Sequence, residues 1–201
     1  LRVATSSDLG FYIPSIRIHD NLALASNQYR IKLRGGIVGE GVIHKNRFMV
    51  VKELNQREDI DGIHENDPVF GLPSVWVTAE DLDQLGELFV QALSPISVIM
   101  THLSNVTKFY AGELLSREQV TELVDELGKT APKLIEQTIE HTVSIPRLHR
   151  VLTSLLEECV PVMDLTTIIE TTADYADLEL AECVEKVRCA LRRQICANIS
   201  T

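Results

Sequence analysis

The sequence predicts an α+β chain whose strand-rich N-terminal part is followed by an all-helical C-terminal part. Three observations carry this. Apolar residues from 11 to 94 come in short runs broken by Gly, Pro and Asn, as in half-buried strands. From residue 94 onward they recur at helical spacing. Capping signatures stand at the heads of the helical stretches.

In chain order, the strands are IRI at 16–18, YRIKL at 29–33, FMVV at 48–51, VWV at 75–77 and LFVQAL at 88–93. The glycines of RGGIVGEG, 34–41, read as a hairpin or a loop near a sheet edge. One short helix fits AEDLDQLGE at 79–87. Ser94 followed by Pro95 is an N-cap with proline at the first helical position, and Ile99, Leu103, Val106 and Tyr110 repeat along one face. Ser116 and Gln119 form a capping box ahead of a stripe of Val120, Leu123, Val124 and Leu127. Gly128 reads as that helix's C-cap and Thr130 as the N-cap of the next. Further helices follow through Ile145–Leu156 and Leu165–Thr172, and a longer last one runs through Leu180, Val184, Val187, Leu191 and Ile195.

Composition bounds the function. The 201 residues, 45% hydrophobic and 24% charged, are enough for one or two compact units. A net charge of −10 argues against nucleic acid, whose affinity rests on Lys and Arg neutralising phosphates. No apolar run reaches the roughly 20 residues a membrane helix needs. The chain opens on Leu1 without an initiator Met, so it is expected to be a piece of something longer. Cys159, Cys183, Cys189 and Cys196 fall on helical segments without a CxxC pair and are expected to be reduced.

Catalytic and cofactor chemistry finds no footing, and neither a cofactor nor a metal is expected. GKT at 128–130 follows a helix, and Leu123 stands where a phosphate loop needs Gly. The histidines at 19, 44, 64, 102, 141 and 149 include no HxxxH or HExxH pair. His102 reads as a packed or hydrogen-bonded helix residue. There is no GxSxG elbow. These features describe a binding module rather than an enzyme.

The stretch ENDPVFGLPSVWV, 65–77, raises the functional question. Asp67 before Pro68 starts a turn, and Phe70 beside Gly71 sits on the bend, where a large ring is hard to hide. Either the ring plugs a core from a loop, or it lines a groove that a partner fills.

Four collinear stretches then carry a family resemblance: LGFYIPSIRIHDNLALASNQYRIKLRG at 9–35, DPVFGLPSVWV at 67–77, the run from Ser94 to Leu127, and the run from Leu148 to Ala176. In that order they resemble the cytoplasmic domain of the FHIPEP family, the export-gate proteins of flagella and of virulence type III secretion systems. The resemblance implies residues 1–45 plus 95–114 as a truncated first subdomain, 46–94 as an inserted α/β second subdomain and 115–196 as a helical third. It further implies a fourth subdomain and a membrane-embedded N-terminal half that this chain lacks. The location implied is the cytoplasmic face of the bacterial inner membrane.

The implied role is a non-catalytic docking platform within a nonameric ring. Its partners would be export chaperones carrying late substrates, other export-apparatus proteins and further copies of itself. The implied docking residues are Asp67 and Phe70 of the DPxFGL motif and Thr101 of the THL motif, with Phe70 buried by the chaperone and Asp67 a polar anchor at the rim. IRIHDNL and YRIKLRG favour the flagellar branch; the alternatives are a virulence export gate or a purely structural ring element.

Overall fold

A computed structural model describes residues 2–51, 60–85, 92–139 and 141–199. The chain divides into two compact units, residues 17–106 and residues 1–16 with 107–201.

The first of these is built on two small antiparallel sheets. Strands β1 (Gln28–Leu33) and β2 (Gly36–Val42) form a hairpin. Its turn is Arg34–Gly35, both at positive φ, 48° and 89°, the geometry whose twist matches paired strands. The second sheet has the order β3-β5-β4, from β3 (Phe48–Val51), β4 (Ile63–Asn66) and β5 (Pro73–Val77). Alternation along the central strand sends Val75 and Val77 to one face, with Val50 and Ile60, and Trp76 to the other, with Met49 and Val98. Leu82 of α2 (Ala79–Leu85) covers the first face, and Val98 of α3 (Pro95–Phe109) the second. Thr78 and Asp81 bond reciprocally at the head of α2, and Ser94 accepts from the Ser97 amide at the head of α3.

The other unit is helical. It comprises α1 (Arg2–Leu9), the end of α3, α4 (Ala111–Leu114), α5 (Arg117–Thr130), α6 (Pro132–Thr138), α7 (Ile145–Glu157), α8 (Leu165–Asp174), α9 (Leu180–Ala190) and α10 (Arg192–Ile199). Its core gathers around α7, where Leu148, Val151, Leu152, Leu155 and Leu156 are fully buried against Val120 and Val124 of α5, Ile168 and Ile169 of α8, and Val184 and Val187 of α9. The Ser116–Gln119 capping box forms as its spacing predicts.

Several expectations are corrected. Residues 16–18 form no strand; Ile18 is almost wholly exposed, because an alternating pattern makes a strand only where a ladder partner exists. Of LFVQAL, residues 88–91 lie outside the described residues, while Leu93 pairs as a bridge with Met49. The α3 face that packs inward is Val98 with His102; Ile99, Leu103 and Val106 are only partly buried beside it. Gly128 lies inside α5 rather than ending it, and Thr130 caps nothing that follows, bonding back to the Leu127 carbonyl. The stop comes at Ala131, which Pro132 forces out of the helical region. The long last helix breaks at Leu191, buried between α9 and α10. β4 and α1 were not expected: IHEN has one apolar residue and RVATSSDL too few for a stripe.

No disulfide joins the four cysteines; Cys183 is buried and the other three are exposed. Titration of the unfolded chain without reductant is therefore expected to count four, and the native chain to hold back Cys183 alone. A count of two or fewer would reveal a disulfide.

Candidate functional site

The DPVFG turn is the six-residue loop joining β4 to β5, closed where the Asp67 amide donates to the Leu72 carbonyl at 2.8 Å and Gly71 donates to the Asp67 carbonyl at 2.9 Å. Pro68 fixes φ at its first corner, and Gly71 takes φ +69° at its last. Asp67 builds the inside of the loop. Its carboxylate accepts from the Val69 amide at 3.0 Å and the Phe70 amide at 2.7 Å, and the residue is only 4% exposed. With those amides held inward, the Phe70 ring is pushed outward and is 66% exposed, beside Leu72 at 46%. The ring fills no core.

Behind the turn lies a partly buried polar cluster. The Tyr29 hydroxyl of β1 and Nδ1 of His102 on α3 are 2.7 Å apart, with the rings edge-to-face. Burial pushes the Tyr29 phenol up to about 12, with the Asp67 charge adding to the shift, so the phenol keeps its proton. Burial pulls the His102 imidazole down, against the opposing pull of Asp67, so the ring is neutral near pH 7. Tyr29 then donates, Nδ1 accepts, and Nε2 carries the ring proton. Asp67 acts on both rings, so the turn and α3 share one neighbourhood. Thr101, next to His102 on α3, is exposed. Ile96 and Met100 of α3, one helical turn apart, are also exposed.

Two glycines allow this closeness. Gly39 and Gly41, two apart on β2, share a face. A Cβ on Gly39 would lie 2.7 Å from His102 Nε2, and one on Gly41 would lie 2.8 Å from both Pro68 Cβ and the Tyr29 hydroxyl. Sequence reading takes these glycines as turn residues and passes over Tyr29; the Gly-x-Gly spacing within a strand was the available signal.

The cluster has a measurable signature. In the folded chain the phenolate is disfavoured, so Tyr29 contributes stability that is present below pH 10 and lost as pH rises from about 10 to 12. Wild type is expected to lose more stability than Tyr29→Phe across that window in urea unfolding. Equal losses would show that Tyr29 titrates as if free.

Among the described residues no group of three or more His, Cys, Asp or Glu could hold a metal, and no helix is long and apolar enough to cross a membrane.

Known proteins are similar to this chain in sequence and in fold. The FlhA flagellar biosynthesis protein of Bacillus subtilis (strain 168) is 34% identical over 202 residues, covering all of this chain and 30% of that protein. The FlhA of Helicobacter pylori (strain J99) is 33% identical over 198 residues, 97% of this chain and 27% of that protein. The chain therefore spans less than a third of these relatives. Among solved structures, Chlamydia pneumoniae CdsV superposes with a TM-score of 0.85 at 23% identity, over 96% of this chain and 57% of that one. The nonameric SctV-C of EPEC gives 0.70 at 19%, over 96% of this chain and 59% of that one. At those identities the likeness is one of fold. The profile of the FHIPEP family matches residues 1–201, end to end, and with the FlhA relatives it makes this chain a member of the FHIPEP family.

Proposed function

We propose that this chain belongs to the cytoplasmic part of a flagellar protein export gate and docks export chaperones carrying late substrates on the face of the DPVFG turn. The observation that carries this reading is the pairing of an inward Asp67, whose carboxylate holds two turn amides, with an outward, exposed Phe70. A loop that holds a large apolar ring in water is shaped to present it. Thr101 is exposed on α3 beside His102, whose ring feels the Asp67 charge, and Ile96, Met100 and Leu72 are further exposed apolar side chains of the same unit. An amphipathic chaperone segment could bury such a face.

The flagellar branch is supported by the FlhA flagellar biosynthesis relatives at 32–34% identity. The full protein would act at the cytoplasmic face of the inner membrane as a ring, as the nonameric EPEC relative suggests, and would meet other export-apparatus proteins, as CdsV has been solved with CdsO. The role is binding without catalysis.

Calorimetric titration with a chaperone–substrate complex from the same genome, run beside thermal melts, tests the reading. Thr101→Ala removes an exposed hydroxyl and methyl and raises helix propensity by no more than about 0.7 kcal/mol. It is expected to weaken binding several-fold and leave the melt unchanged or slightly raised. Asp67→Ala strips the turn of both acceptors and is expected to cost affinity and about 1 kcal/mol of stability, the size of a lost cap. Wild-type affinity in both variants would move docking elsewhere, and titration without heat at any concentration would favour a structural ring element.

A further inference from the structure

The strongest unassigned feature lies in the helical unit, where α8, α9 and the start of α10 enclose an open cavity of about 680 Å³. Lys186 of α9 and Arg192 and Arg193 of α10 line it, together with Thr171 and Asp174 of α8 and Tyr175, which follows that helix. We propose that this cavity binds an acidic peptide segment of a partner protein.

The charge pattern points there. The chain carries 29 carboxylates against 19 Lys and Arg, and among the described residues Arg30, Lys108, Lys129 and Arg188 are held in ion pairs. Arg188, one turn from the cavity, pairs with both Glu158 and Glu185. Arg192, Arg193 and Lys186 make no ion pair with any described residue. Lys186 is held instead over the Tyr175 ring, 5.6 Å from its centre, which keeps the ammonium at the cavity wall. Three unneutralised cations thus converge on one concavity of a chain with net charge −10.

The nature of the ligand follows from exposure and from Asp174. All three cations are exposed, and a single exposed ion pair contributes no more than about 1 kcal/mol. One small anion gains little there, whereas a ligand carrying several carboxylates in series engages all three. Two guanidiniums, each able to grip a carboxylate with two parallel N–H donors, suit that ligand. Asp174 on the wall repels a compact, highly charged anion such as phosphate more than an extended chain that can pass it. At about 0.15 M salt, screening over about 8 Å hides the chain's distant negative charge while the local cations act.

The probe is a fluorescently labelled octaglutamate peptide, followed by anisotropy with the whole chain at near-physiological salt. Wild type is expected to bind, more weakly as salt rises. The double variant R192E/R193E is expected to lose at least tenfold in affinity; acidic residues in the first turn of α10 suit its helix, so the melt should hold. Asp174→Asn should tighten binding, and Phe70→Ala should leave it unchanged. No binding by wild type, equal binding by R192E/R193E with an unchanged melt, or displacement by equimolar inorganic phosphate would overturn the proposal. The last result would make this a small-anion site.

Discussion

Phe70→Ala is expected to weaken docking of a chaperone–substrate complex by about 2 kcal/mol or more, roughly 30-fold, while the thermal melt stays at its wild-type position. The two halves of that result come from one number. A phenylalanine plugging a core loses about 3–5 kcal/mol of stability when cut to alanine. Phe70 is 66% exposed, so the truncation removes little that the fold uses, and an exposed substitution of this kind stays within about 0.5 kcal/mol. Its effect must then appear in a complex that covers the ring. The turn survives because its closing bonds, Asp67 to Leu72 and Gly71 to Asp67, and the two amides held by the carboxylate are all independent of the ring. Titration calorimetry beside a melt reads both quantities. Loss of binding that tracks a collapse of the melt would return Phe70 to the core, and unchanged binding would take docking away from this turn.

What the sequence makes legible here is what neighbours in sequence decide. Ser94 with Pro95, and Ser116 with Gln119, are helix heads because a side chain and an amide three residues apart satisfy each other whatever surrounds them. Asp67 before Pro68 announces its turn for the same reason. Gly128 misleads because glycine only permits a helix to end; the ladder runs on to Ala131, where Pro132 compels the stop. IRI at 16–18 fails because the alternation that suits a strand says nothing of a partner strand. Gly39 and Gly41 are opaque for a related reason: the groups they admit belong to Pro68, Tyr29 and His102, and Tyr29 and His102 themselves stand 73 residues apart. Exposure of Phe70 is likewise a property of the folded loop. The sequence poses the choice between plug and groove, and the direction of the Asp67 carboxylate decides which way the ring turns.

Gly10→Ala is expected to be the more damaging change to the fold, costing the helical unit about 3 kcal/mol. Gly10 ends α1 at φ +88°, its amide donating to the Ser6 carbonyl at 2.9 Å. From there the chain turns inward as a strap, with Leu9, Phe11 and Ile13 buried in the helical core. The Leu9 carbonyl accepts from the Val162 amide at 2.9 Å, and the Ser6 hydroxyl accepts from the Ile13 amide at 3.0 Å. A methyl on Gly10 would sit 2.6 Å from the Met163 nitrogen and 2.8 Å from the Val162 carbonyl carbon, both backbone atoms that cannot swing aside. Left-handed φ costs an alanine about 1–2 kcal/mol, and forcing the strap off its seat about 1–3 more. Gly35→Ala separates the two causes: Gly35 has φ +89° but nothing within 4 Å of the added methyl, so it should lose only the backbone share, about 1 kcal/mol. The readouts are urea midpoints, from far-ultraviolet helical signal for Gly10→Ala and from fluorescence of Trp76, the only tryptophan, for the strand-built unit that holds Gly35. Equal losses in the two variants would mean that backbone conformation alone matters. A larger loss at Gly10 would mean that the strap is seated against the 162–163 backbone with no room for a side chain.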